Sequence, residues 1–83
     1  MARYSVKTKL DPEEAIEKAA DYFGEGGLGL EMVEQDPCCV SFTGGGGHVS
    51  VTAGAVEGKK ETTVTLETRE WDYHVKRFMR EIA

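Results

Sequence analysis

Alternation of apolar and polar residues in the middle of the chain is the feature that most constrains its fold. A repeat of two places successive side chains on opposite faces of a β-strand. Four stretches show this repeat, and short segments rich in turn-forming residues separate them. Their apolar members are Leu28, Leu30 and Met32, then Cys38, Val40 and Phe42, then Val49, Val51 and Ala53, then Val64 and Leu66. The sequence therefore predicts a meander of four antiparallel strands.

Other elements lie on either side of this meander. Residues 3–10 alternate as well and predict a first strand. Asp11, Pro12 and Glu14 form a helix start signal, and the apolar stripe that follows predicts a helix ending at Gly24. Residues 69–83 place apolar side chains on one helical face. The predicted fold class is α+β in the order β-α-β-β-β-β-α, a single domain over residues 1–83, with one five-stranded antiparallel sheet and two helices packed on one face.

The register of the sheet follows from keeping the apolar residues on one face, because a slip of one residue would turn every side chain over. We also expect Gly54 to mark a β-bulge. The predicted pairs are Phe42 with Val49, Val40 with Val51, Val51 with Leu66, Leu30 with Val40, and Met32 with Cys38. The opposite face then carries Glu31, Cys39, Ser41, Thr43, His48, Ser50, Thr52, Thr63, Thr65 and Glu67.

Size and charge limit the classes of function. A chain of 83 residues has a thin core. Its net charge of −5 argues against a general nucleic-acid binder, since phosphate neutralisation needs clustered Lys and Arg. No apolar run approaches the ~20 residues that span a bilayer, and the amino-terminal residues show no secretory signal. We therefore expect a cytoplasmic protein that contacts neither nucleic acid nor membrane and needs no cofactor.

The two cysteines, Cys38 and Cys39, are adjacent in sequence. A disulfide between neighbours is strained, so reduced thiols are expected. Neighbouring residues of a strand point to opposite faces, which predicts that Cys38 lies in the core and Cys39 on the polar face, without convergence on one metal.

The run Gly44–Gly47 is interpreted as a hairpin with positive φ, because no helix or Lys-Ser/Thr pair follows it.

The element order resembles two known arrangements, the TATA-binding-protein-like fold and the helix-grip fold of START-like lipid and hormone binders. The resemblance covers the whole chain at the level of element order, and no sequence motif carries it. It implies a long carboxy-terminal helix lying across a curved sheet. Because no motif is shared, the resemblance transfers no functional residue to this chain.

No catalytic constellation is visible in the sequence, so an enzyme is the weaker interpretation. The first hypothesis is a small binding or protein-interaction domain that forms a homo-oligomer through sheet edges or the Ser/Thr-rich face. The alternative is a carrier or sensor of a small apolar ligand held between the sheet and the last helix. A catalytic variant of that pocket, using Asp72, Tyr73 or His74, is a third possibility. The expected ligand-binding residues are Tyr22, Phe23, Met32, Trp71 and Tyr73.

Overall fold

The computed structural model describes residues 2–83, which form one five-stranded antiparallel sheet and two helices. This matches the predicted fold class and element order. The elements are β1 (Ala2–Thr8), α1 (Pro12–Phe23), β2 (Glu31–Asp36), β3 (Cys39–Gly44), β4 (Gly47–Ala55), β5 (Thr62–Arg69) and α2 (Asp72–Ile82). The strands are ordered β1-β5-β4-β3-β2, so β1 and β2 form the two edges.

The register of the three central strands is as predicted. Val51 lies at the centre, opposite Val40 in β3 and Leu66 in β5, and Phe42 lies opposite Val49. The hairpin between β3 and β4 has its two turn residues, Gly45 and Gly46, at φ of 58° and 80°. The predicted bulge at Gly54 is wrong, because Gly54 pairs with Thr63 without interruption.

The predicted position and register of β2 are wrong. Met32 pairs with Phe42 instead of Cys38, and Gln35 rather than Leu30 lies opposite Val40. The strand begins three residues later than its apolar alternation indicates, and the register shifts between Met32 and Glu34. A β-bulge of this kind breaks the strict alternation on which the prediction depended.

Backbone bonds after α1 explain the later start of β2. The amides of Leu28 and Leu30 donate to the carbonyls of Tyr22 and Phe23, at 3.0 and 2.9 Å. Leu28 therefore belongs to the connection that closes α1, and Leu30 fills the core just before the strand. The turn between β2 and β3 then shortens to Pro37 and Cys38.

Both helices pack on the same sheet face, but they are centred on different strands. α1 contacts mainly β4 and β3 and also reaches β5, whereas α2 contacts β1 and β5. The face they cover holds a continuous core whose helical members are Ala15, Ile16, Ala19, Phe23, Val75, Phe78 and Ile82. Neither helix reaches β2 to a comparable extent, and all six residues of that strand are exposed.

The start of each helix has a local cause. The predicted capping box forms between Asp11 and Glu14, and in it the amide of Asp11 donates to Glu14 Oε1 at 3.4 Å. α2 starts three residues later than predicted, because β5 continues to Arg69 and Glu70 adopts a positive φ of 74°. That conformation is unusual for a residue with a side chain, and it turns the chain from the sheet into the helix.

Candidate functional site

Two of the five predicted ligand-binding residues end α1. Phe23 is fully buried, and its ring centroid lies 5.4 Å from that of Phe78. It is therefore part of the core. Tyr22 is half-buried at the surface between the helices, with its ring 5.0 Å from that of Phe23.

The other three predicted residues lie elsewhere. Met32 is 39% exposed in β2, and Tyr73 is 64% exposed on α2. Trp71 is half-buried before α2; its indole Nε1–H donates to the carbonyl of Gly44 at 3.0 Å, and the ring covers Gly45. Trp71 therefore anchors the start of α2 to the β3–β4 hairpin. The structure does not bring the five residues into one pocket, and their role in binding stays a prediction.

The space between the sheet and α2, where an apolar ligand was expected, is filled. Val75 and Phe78 from the helix belong to the same core cluster as Val64 and Leu66 from β5, and none of these side chains is more than 1% exposed. A ligand at this position would have to displace core side chains.

An open groove of about 720 Å³ lies instead between the outer surfaces of the helices. Tyr22, Leu28 and Phe78 form part of its wall. Both signs of charge surround it, because Lys18, Asp21, Arg77 and Glu81 also line it. Sequence reasoning missed this groove, since the glycine-rich connection after α1 gives no periodic signal.

The helix-free face of the sheet carries polar side chains on all five strands. All ten residues predicted to lie on the face opposite the apolar one share it, according to the strand register. Its centre carries short hydroxyl side chains and some hydrogen bonds between strands, such as Ser41 Oγ to Ser50 Oγ at 3.3 Å. Thr52 and Thr65 lie side by side in the middle of the sheet. We refer to this surface as the helix-free face.

Charge is distributed unevenly across the helix-free face. On the β1–β5 side lie Arg3, Lys7, Glu67 and Arg69, and Arg3 forms only a loose 3.8 Å ion pair with Glu67. On the β2 side, register places three acids, Glu31, Glu34 and Asp36. The face is therefore basic along one edge and acidic along the other.

The two cysteines lie at one corner of the helix-free face. The prediction that Cys38 is a core residue is wrong, because Cys38 is exposed in the two-residue turn. Cys39 is half-buried at the start of β3, and its Sγ atom lies only 3.4 Å from that of Cys38. The thiols converge because a turn residue does not follow strand alternation. The hydrogen bond with Cys39 and its nearby charge raise the pKa of Cys38.

The cluster at the start of α2 is linked to the first strand. The hydroxyl of Tyr4 donates to Asp72 Oδ2 at 2.7 Å, and this bond raises the pKa of Tyr4. His74 contacts the rings of Trp71 and Tyr73, with centroids 5.6 and 5.2 Å away. The arrangement joins β1 to α2, and Asp72 is already engaged by Tyr4.

Within residues 2–83, no group of three or more His, Cys, Asp or Glu side chains is placed to hold a metal ion. None of the helices in this range is long and apolar enough to cross a membrane. No protein-family model matches the sequence, and the curated proteins contain no significant match to it.

Proposed function

We propose that this chain is a protein-interaction domain that self-associates through the helix-free face into a twofold dimer. The observation that carries the proposal is the charge gradient across that face, from the basic β1–β5 side to the acidic β2 side. Electrostatic complementarity selects an orientation between partners and suppresses wrong ones.

Symmetry limits how two copies can use this gradient. A twofold axis perpendicular to the sheet would join β2 to β2 at the edge and bring acids against acids. A twofold axis between two stacked sheets and parallel to the strands instead places the basic side of each copy over the acidic side of the other. The gradient therefore favours face-to-face packing over the edge-to-edge alternative.

The centre of the helix-free face is compatible with such packing. Its Ser and Thr side chains are short and uncharged, so they lose less hydration free energy on burial than Lys or Glu would. Ser41 and Ser50 already bond to each other across the strands. Sheets stack about 10 Å apart, which short side chains from both copies can fill.

Charge insertion at the centre tests the interface. We expect the variant with Thr52→Lys and Thr65→Lys to dissociate to monomer, because the added charges would be buried without partners. Sedimentation velocity over a micromolar concentration series measures the change. The control is Gln35→Lys, which adds charge to β2 on the opposite face and should leave the dimer intact.

Charge exchange tests the orientation. Lys7→Glu alone should weaken the dimer, and adding Glu34→Lys should restore part of the lost affinity through the new complementary pattern. A wild-type protein that remains monomeric throughout the concentration series contradicts the proposal. If the dimer persists after the Thr52 and Thr65 substitutions, the interface lies at the sheet edges and not on the helix-free face.

The carrier hypothesis has a narrower basis, the groove between the helices. Tyr22 and Phe78 give it an apolar wall, and Arg77 gives it a cation. This supports a small ligand with an apolar body and an acidic group. Native mass spectrometry of freshly purified protein should then show a retained small molecule, and Arg77→Gln should reduce its occupancy. Protein that carries no such molecule speaks against this alternative.

We also place the domain in the cytoplasm. The support is cysteine usage: secreted domains of this size usually rely on disulfides, whereas this chain has only two cysteines, and they are neighbours poorly spaced for a disulfide.

A further inference from the structure

The cysteine pair at the β2–β3 turn has the geometry of a chelating dithiol. Cys38 is exposed, and the Sγ atoms of Cys38 and Cys39 are 3.4 Å apart. A backbone hydrogen bond fixes the position of Cys38, because its carbonyl accepts from the amide of Ala53 in β4 at 2.8 Å. The pair is therefore presented by the sheet rather than by a free loop. We propose that it binds a thiophilic trivalent centre, of the arsenic(III) type, through both sulfur atoms.

The spacing of the two sulfur atoms fits this chemistry. For sulfur bonds of about 2.3 Å, the Zn–S length and close to that of As–S, a separation of 3.4 Å corresponds to an S–X–S angle of about 95°. A pyramidal trivalent centre has bond angles near this value. A tetrahedral zinc ion needs a wider angle and four ligands, and a two-coordinate linear ion needs the sulfur atoms much farther apart.

The number of donors points the same way. No third His, Cys, Asp or Glu in residues 2–83 completes a metal cluster with the two thiols. A trivalent metalloid that keeps one substituent of its own needs only two sulfur ligands from the protein. Oxidation to a disulfide fits the backbone less well, because neighbouring Cα atoms are about 3.8 Å apart whereas disulfides usually span about 4.4–6.8 Å.

The binding step requires no oxidant. With a monosubstituted trivalent arsenical such as phenylarsine oxide, two S–As bonds form and the bond between arsenic and its oxide oxygen breaks. Both thiol protons leave with that oxygen as one molecule of water, and arsenic stays trivalent. A thiol that is still protonated at neutral pH can take part, because the departing oxygen removes the proton. The raised pKa of Cys38 is compatible with this step.

The test is a titration with phenylarsine oxide in the presence of excess glutathione, followed by native mass spectrometry. We expect wild-type protein to retain one arsenical per chain and to release it to a competing dithiol. Cys38→Ser and Cys39→Ser each leave one thiol, because the chain has only two cysteines. Loss of the second, intramolecular bond should weaken binding by about 10²-fold or more in each variant.

Matched measurements separate this inference from the proposed dimer. The titration is repeated in the Lys7→Glu variant, which should weaken the dimer but leave retention unchanged, because the chelate lies within one chain and Lys7 lies in β1, away from the β2–β3 turn. Circular dichroism checks that both serine variants are folded. Retention by either serine variant as strong as in wild type, one arsenical bridging two chains, or zinc binding as tight as arsenical binding would each overturn the inference.

Discussion

The two edge strands of the sheet, β1 and β2, differ in how the rest of the molecule holds them. β1 lies beneath α2, with Tyr4 and Val6 packed against the core and Thr8 buried. Two of its side chains reach the helix: Tyr4 bonds to Asp72, and the Thr8 hydroxyl donates to the carbonyl of Ile82. β2 has neither a helix above it nor a buried residue.

The comparison shows that an apolar side chain in a strand is buried only where another layer covers it. Val6 and Val33 are the same residue type in the two edge strands, yet Val6 packs against the core and Val33 is 59% exposed. We therefore expect a substitution to lower the free energy of unfolding most where a helix covers the edge of the sheet. Between the two edges, the largest losses should occur at α2 and β1, and the smallest in β2.

The largest effect should come from the helix that covers β1. Phe78→Ala removes a ring that is 1% exposed, and we expect a loss of about 3–5 kcal/mol in the free energy of unfolding. Tyr73→Ala on the same helix is the control, because its ring is 64% exposed and should cost about 0.5 kcal/mol or less. Urea unfolding measures both. A loss below about 1 kcal/mol for Phe78→Ala would contradict the assignment of α2 as the helix that covers β1.

A moderate effect is expected at the contact between β1 and α2. Tyr4→Phe keeps the ring and removes the 2.7 Å hydrogen bond to Asp72, so it should lower the free energy of unfolding by less than Phe78→Ala does. Ser5→Ala, on the opposite face of the same strand, removes only a 3.5 Å contact with Thr65 and should cost less. Equal costs in urea melts would mean that the link to the helix does not stabilise this edge.

The same contact predicts a pH dependence. The hydrogen bond to Asp72 raises the pKa of Tyr4 in the folded chain above its ordinary value near 10. The unfolded chain then loses the proton first, so this stabilisation is complete below about pH 10 and falls as pH rises toward the folded pKa. Urea midpoints above pH 10 should decline more steeply for wild type than for Tyr4→Phe. Parallel declines would show that the bond does not favour the protonated phenol.

The smallest effect belongs to β2. Val33→Ser should change stability by about 0.5 kcal/mol or less, because the side chain already contacts water. Leu30→Ala, three positions earlier, is the contrasting variant: Leu30 is 4% exposed and should cost at least about 2 kcal/mol. If Val33→Ser proved as costly as Leu30→Ala, the exposed state of β2 in the isolated chain would be wrong.

The central strands were predictable because each has a layer above it and a neighbour on both sides. Val40, Val51 and Leu66 had to face one side together, and a slip of one residue would have turned them to opposite faces. The polar face followed from the same parity. At β2 the same reasoning failed, because Met32 and Val33 have no cover that would enforce alternation.

The candidate sites were less predictable than the fold. The charge gradient of the helix-free face was hidden, because it depends on the register of β2, whose bulge brings Glu34 and Asp36 onto the same face as Glu31. The approach of Cys38 to Cys39 depends on a turn of only two residues, Pro37 and Cys38. The expected ligand pocket assumed a gap beneath α2, and Phe78 fills that space.

By itself, the sequence determined the element order, the face that becomes the core and the register of β3, β4 and β5. It could do so because periodicity and capping are local properties, and burial reinforces them in the centre of a sheet. Only the tertiary structure decided where β2 begins, that its residues stay exposed, and that two thiols meet at its turn. These features depend on which strands the helices contact and on the backbone hydrogen bonds that close the connection after α1. Neither of these causes produces a periodic pattern in the sequence.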